Sequence, residues 1–155
     1  MEGSEDKMTI VVVATPEEYI IARAKFKGKK IIETGVGALN VIETLRKIPK
    51  WVRIINFGYA GSNRIPIGTE VKVGFSALYH PKVDYLEPGY ILDDGEEAVT
   101  CYTSSDFVTE TKEETPCLFD MELAYIMALG FKHVRSIKIV SDNLSLEQYE
   151  EKANE

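Results

Sequence analysis

Cysteine and histidine are scarce in this chain, and positive charge is nowhere concentrated for long. Two cysteines in 155 residues, Cys101 and Cys117, cannot build the disulfide framework of a small secreted domain. They also lack the paired CxxC spacing of a zinc site, so they read as reduced and structural. His80 and His133 stand apart, with no second ligand at metal spacing, and neither a metal nor another cofactor is expected. Lys plus Arg number 18 against 25 Asp plus Glu, a net charge of -7, and only Lys25 to Lys30 is locally basic. Phosphate backbones are held by clustered Lys and Arg, so a nucleic-acid partner is not expected. Long apolar runs are missing too. The longest, Ala124 to Phe131, falls well short of the ~20 residues that span a bilayer. The acidic start, Met1 to Asp6, is the opposite of a signal peptide's positive region. These absences point to a soluble, cytoplasmic protein with no membrane partner.

What remains is ordinary globular composition, 45% hydrophobic and 28% charged. A chain of this length buries ~70% of its unfolded surface, enough for one core without a staple. Residues 1–7 read as a disordered leader and residues 8–155 as a single domain. Thr9 to Ala14 is a β-branched run without alternation, the pattern of a strand covered on both faces. Thr15-Pro16-Glu17-Glu18 then supplies a cap, a first-turn proline and acids for the positive helix end, predicting a helix to about Phe26. Lys30 to Thr34 predicts a short strand, Asn40 to Ile48 a helix, and Val52 to Phe57 a buried strand closed by a turn over Gly58 to Ser62. A longer strand is expected over Glu70 to Tyr79, loops over 81–96 and a strand over Ala98 to Thr103. Phe119 to Leu129 reads as an amphipathic helix ended by Gly130, Ser136 to Val140 as the last strand and Ser145 to Ala153 as a terminal helix. Unalternating strands interspersed with helices predict an α/β fold with a largely parallel sheet.

In such sheets ligands sit beyond the carboxyl ends of the strands. Four features fall at such ends: Glu17-Glu18, Gly35-Val36-Gly37, Gly58-Tyr59-Ala60-Gly61 and Ser141-Asp142. Each alone has an ordinary structural explanation. Neither glycine turn is a dinucleotide fingerprint or a Walker A loop, and no Gly-x-Ser-x-Gly elbow occurs. Glu122 lies either on a solvated helix face or toward a pocket, which periodicity leaves open. Asp142 reads equally as a turn residue after a strand.

The order of the motifs is more specific. Ile10 to Glu18 (IVVVATPEE), Thr34 to Gly37 (TGVG), Ile55 to Gly61 (INFGYAG), Ile67 to Glu70 (IGTE), Thr103 to Val108 (TSSDFV), Phe119 to Leu123 (FDMEL) and Val140 to Asn143 (VSDN) follow one another. In this order they resemble the nucleoside phosphorylase superfamily, and most closely its methylthioadenosine/S-adenosylhomocysteine nucleosidases. The resemblance implies a three-layer α/β/α sandwich around a mixed, twisted sheet. It also implies cleavage of the N-glycosidic bond of a purine nucleoside by a homo-oligomer. By position, Asp142 matches the acid that protonates the leaving purine, and Glu18 the base that activates water. Glu122 with Met121 matches the pair that holds the ribose. Phe107 and Val108 match the segment packed on the purine, and Gly58 and Tyr59 stand in the glycine turn of the substrate site. A phosphate-dependent phosphorylase and a weakly active nucleoside-binding member are the alternatives. Asn56 stands where some phosphorylases carry arginine, with Arg23 and Arg64 as possible phosphate-binding substitutes. Tyr59 replaces a small serine, and several loops are compressed.

Overall fold

A computed structural model of the chain describes residues 8–79, 89–93 and 96–153. The leader expected over 1–7, His80 and most of the loop expected over 81–96 lie outside the described residues. Strand β1 (Thr9–Val13) shows why its sequence does not alternate. Val11 and Val13 pack with Ala22, Ile55 and Phe57 on one side, while Ile10 and Val12 join Val41, Leu45 and Ile54 on the other. Helix α1 (Pro16–Lys25) starts as its sequence dictates. Thr15 accepts the Glu18 N–H (3.2 Å) and Glu18 reaches back to the Thr15 N–H (3.3 Å), a capping box with Pro16 in the first turn. Strand β2 (Lys30–Glu33) and helix α2 (Ala38–Leu45) follow. Strands β3 (Arg53–Ser62), β4 (Glu70–Leu78), β5 (Tyr90–Ile91), β6 (Glu96–Thr103) and β7 (Leu118–Asp120) lead to helix α3 (Leu123–Ala128). Strand β8 (Val134–Asp142) and helix α4 (Leu146–Ala153) complete the order.

The eight strands of the described residues join one mixed sheet. The pairs β1–β2, β1–β3, β3–β8, β4–β6 and β6–β7 are parallel, and β3–β7, β4–β5 and β4–β8 are antiparallel. Around β1 and β3 the sheet is layered, with α1 over one core and α2 and α3 over the other. Farther along it differs from the three-layer sandwich that the resemblance implies. Because β8 pairs with both β3 and β4, the path β3–β7–β6–β4–β8 closes on itself as a barrel, with β2–β1 as an open wing.

Two local expectations change. The segment Gly58 to Ser62 is no turn: β3 runs on to Ser62, because β8 pairs with it as far as Gly61 and β7 with Gly61 and Ser62. The helix expected from Phe119 begins only at Leu123. Leu118, Phe119 and Asp120 instead pair with Cys101, Tyr102 and Thr103. A short apolar run serves either element, and here the open edges of β6 and β3 decide.

Candidate active site

The ends of β1, β3, β7 and β8 open into one cavity of about 280 Å³. Glu18, Tyr59, Phe107, Met121, Glu122 and Asp142 line it, together with Asp120 and Tyr149. Gly58 does not line it but lies beneath Glu18. Val108 is half-buried and not in the wall.

Glu18 is 5% exposed, and among the described residues the hydrogen bonds to its carboxylate come from backbone amides. Ala14 N–H and Thr15 N–H donate to Oε1 (2.8 and 3.3 Å), and Tyr59 N–H donates to Oε2 (2.9 Å). A carboxylate oxygen accepts two such bonds, so Oε2 keeps a lone pair for a ligand. Burial pushes its pKa up, opposed by the amides and by the Lys138 charge. The carboxylate rests against the Cα of Gly58, where a Cβ would lie 2.8 Å from Oε2. Gly61 serves Asp142 in the same way, its absent Cβ falling 2.7 Å from Oδ1. These two glycines are therefore required by close approach within a strand rather than by a turn.

Asp142 ends β8 and is 1% exposed. Ser141 Oγ donates to its Oδ2 (2.7 Å), and Leu144 N–H donates to Oδ1 (2.9 Å). Leu144 adopts a left-handed φ of 70° in the turn that follows, a backbone region that costs energy for a leucine. Burial raises the Asp142 pKa despite these bonds. Glu122 sits at the start of α3, where its Oε2 accepts Gly37 N–H (3.0 Å). Burial and the nearby Asp120 charge push its pKa up to about 7. Three carboxyls whose pKa burial raises thus meet in one cavity from α1, the start of α3 and the end of β8. Such shifts cluster where proton transfer is carried out.

No family model and no curated protein matches the chain. Solved structures do. The S-adenosylhomocysteine nucleosidase of Streptococcus pyogenes, in complex with 5-methylthiotubericidin, is 18% identical, with 93% of this chain and 89% of that one covered and a TM-score of 0.76. A Helicobacter pylori MTAN variant with 5'-methylthioadenosine in its active site is 12% identical, with 94% and 89% covered and a TM-score of 0.73. Futalosine hydrolase of Helicobacter pylori is 14% identical, with 94% and 90% covered and a TM-score of 0.73. The chain has the fold of the methylthioadenosine/S-adenosylhomocysteine nucleosidases.

Within this nucleosidase fold the cavity carries features that the sequence reading missed. Tyr149 of α4 packs on Phe107, ring centroids 5.6 Å apart, and both rings face the cavity. The charged helix around Tyr149 gave no hint of this. Beneath Glu122 lies a buried ion pair, Lys138 Nζ to Asp120 Oδ2 at 3.0 Å, with side chains 2% and 1% exposed. Burial would raise the Asp120 pKa, but Lys138, the Thr103 hydroxyl and the Leu123 amide outweigh it and hold it low. Lys138 is held high in turn: burial would lower it, but the Asp120, Cys101, Glu122 and Glu18 groups around it prevail. No local signal marked it: Lys138 alternates with Ile137 and Ile139, a pattern that ordinarily turns the lysine to solvent, yet here it is the buried residue of the three.

The described cavity wall contains neither Lys nor Arg. Arg23 and Arg64 are exposed and outside it. Asn56 is buried and accepts the Ser136 hydroxyl at 2.7 Å. Among the described residues no group of His, Cys, Asp and Glu is arranged to hold a metal ion, and no helix is long and apolar enough to cross a membrane.

Proposed function

We propose that this chain hydrolyses the N-glycosidic bond of a purine nucleoside of the methylthioadenosine or S-adenosylhomocysteine type. The observation that carries the reading is the meeting of Glu18, Glu122 and Asp142 in one cavity, where burial raises the pKa of each while three backbone amides and the Lys138 charge oppose the rise at Glu18 and favour its ionised form. The C1'–N9 bond breaks with its electron pair going to the purine, while Asp142 passes a proton to N7. Water attacks C1' of the oxocarbenium-like sugar and loses its proton to Glu18. The division of labour is that of glycoside hydrolysis. Glu122 grips the ribose hydroxyls and places negative charge near the developing cation. Met121, Phe107 and Tyr149 supply the apolar walls for the nucleoside.

Water is preferred to phosphate because the described wall is acidic and offers no cation to an anionic nucleophile. Turnover is therefore expected in phosphate-free buffer, read as adenine released from methylthioadenosine. Asp142→Asn is expected to slow it by ~10²- to 10⁴-fold. A strict requirement for phosphate, or an unchanged rate in Asp142→Asn, overturns the assignment. Tyr59 in the cavity favours one second reading, a member that binds nucleosides without turnover. Calorimetric binding with no base release over hours would select it. A homo-oligomer fits the exposed Val36, Leu39 and Ile42 beside the cavity and is checked by sedimentation.

A further inference from the structure

Glu122 is the N-cap of α3, yet its side chain bonds none of the helix's own amides. An N-cap side chain ordinarily accepts an amide of the first turn, which would turn this carboxylate away from the cavity. Here other groups take those amides. Asp120 Oδ2 accepts Leu123 N–H (2.9 Å) and Thr103 Oγ1 accepts Ala124 N–H (2.9 Å). The Thr103 hydroxyl in turn donates to Asp120 Oδ1 (2.6 Å), and Lys138 Nζ closes the network on Oδ2 (3.0 Å). Thr103 and Asp120 face each other in register on β6 and β7, and Lys138 comes from β8. The barrel closure therefore assembles a cap for α3 that no single segment provides.

We propose that Asp120, Thr103 and Lys138 are positioning residues for Glu122. Asp120 and Thr103 cap α3 in its place, and Lys138 keeps Asp120 an ionised acceptor. The Glu122 carboxylate is left to bridge across to Gly37 and face the ligand. The effect on turnover rests on the reading of Glu122 as the sugar-binding group; the effect on the helix does not. Lys138 is needed because a carboxylate buried beside a second carboxylate would otherwise retain a proton and lose an acceptor site.

The test uses the full chain with Thr103→Val, Thr103→Ser and the double variant Asp120→Leu/Lys138→Met. Amide exchange is followed by NMR at Leu123, Ala124 and Gly37. Base release from methylthioadenosine is measured alongside. In Thr103→Val the Ala124 amide is expected to exchange about 5-fold faster. Gly37 exchange is expected to rise with it, because Gly37 N–H reports the place of the Glu122 carboxylate from a different segment. KM is expected to rise more than kcat falls, and Thr103→Ser to restore all three. The double variant exchanges a buried ion pair for apolar side chains, so its melting temperature is expected to stay within a few degrees while Leu123 and Gly37 lose protection. Unchanged Gly37 exchange in the folded variants overturns the proposal. If Thr103→Val does not fold, the double variant decides, and the reverse holds. A wild-type chain that releases no base sinks the hydrolase reading, while the amide pattern still decides the positioning role.

Discussion

Gly58→Ala tests the claim that a strand glycine exists to seat a carboxylate. The new Cβ would lie 2.8 Å from Glu18 Oε2, 2.9 Å from Cδ and 3.0 Å from Oε1, against 3.4 Å for ordinary contact. Oε2 must retreat by about 0.6 Å, the difference between 3.4 and 2.8 Å. That retreat stretches the 2.9 Å bond from Tyr59 N–H to the edge of hydrogen bonding. Loss of a hydrogen bond to a charged group costs ~1.5–3 kcal/mol. Replacing glycine in a strand returns roughly 0.5–1 kcal/mol of backbone entropy. The net expectation is a loss of about 1–2 kcal/mol in urea unfolding, with base release slowed about 10- to 100-fold by the displaced carboxylate. A double-mutant cycle with Glu18→Ala isolates the contact, since alanine at 18 leaves nothing to collide with. The coupling expected is about 1.5–3 kcal/mol, because the entropy gain of the alanine is common to both backgrounds and cancels. Effects that add to within about 0.5 kcal/mol, or a Gly58→Ala protein with wild-type activity, would refute the reasoning.

Other expectations follow from the same geometry. Glu122 titrates at about 7 in the folded chain against its ordinary 4.5. The folded state therefore holds this proton more tightly, and stability drawn from it is present below pH 4.5 and lost as pH rises through 7. Glu122→Gln, which cannot ionise, should match wild type in urea unfolding at pH 4 and exceed it at pH 8 by about 3 kcal/mol; equal stability at both pH values contradicts the shift. Lys138→Met alone leaves Asp120 buried without its counter-charge and should cost ~3–5 kcal/mol, most of it recovered when Asp120→Leu is added. Melting of the two variants side by side checks this. Cys101 and Cys117 are 0% and 3% exposed, and burial pushes the Cys117 thiol up to about 12. A thiol reagent at pH 8 should therefore label neither cysteine until denaturant is added.

Glu18 and Asp142 were legible in the sequence because each follows a strand within a short motif, whereas Glu122, inside an expected helix, was marked only by the family resemblance and Asp120 was given no role. The α1 start was equally plain, since Thr15, Pro16 and Glu18 carry their capping chemistry in four consecutive residues. Local signals of this kind survive in sequence because the interacting groups are neighbours in the chain. They failed where one run suits two structures. Leu118 to Asp120 is apolar enough for a helix, but the free edges of β3 and β6 made it a strand. Gly58 and Gly61 suggested a turn, but their hydrogen cleared space for two distant carboxylates.

The sequence by itself determined the α/β alternation, the covered strands, the first helix cap and the acids at the strand ends. Each of those depends on residue type within a few positions. Only the tertiary structure decided that the sheet closes through β8, that Tyr149 joins Phe107, and that Lys138 meets Asp120 beneath Glu122. Those contacts join segments from 18 to 81 residues apart, by residue number, through burial and strand pairing. Burial also sets the proton affinities of the site, because desolvation is a property of the surroundings and not of the residue.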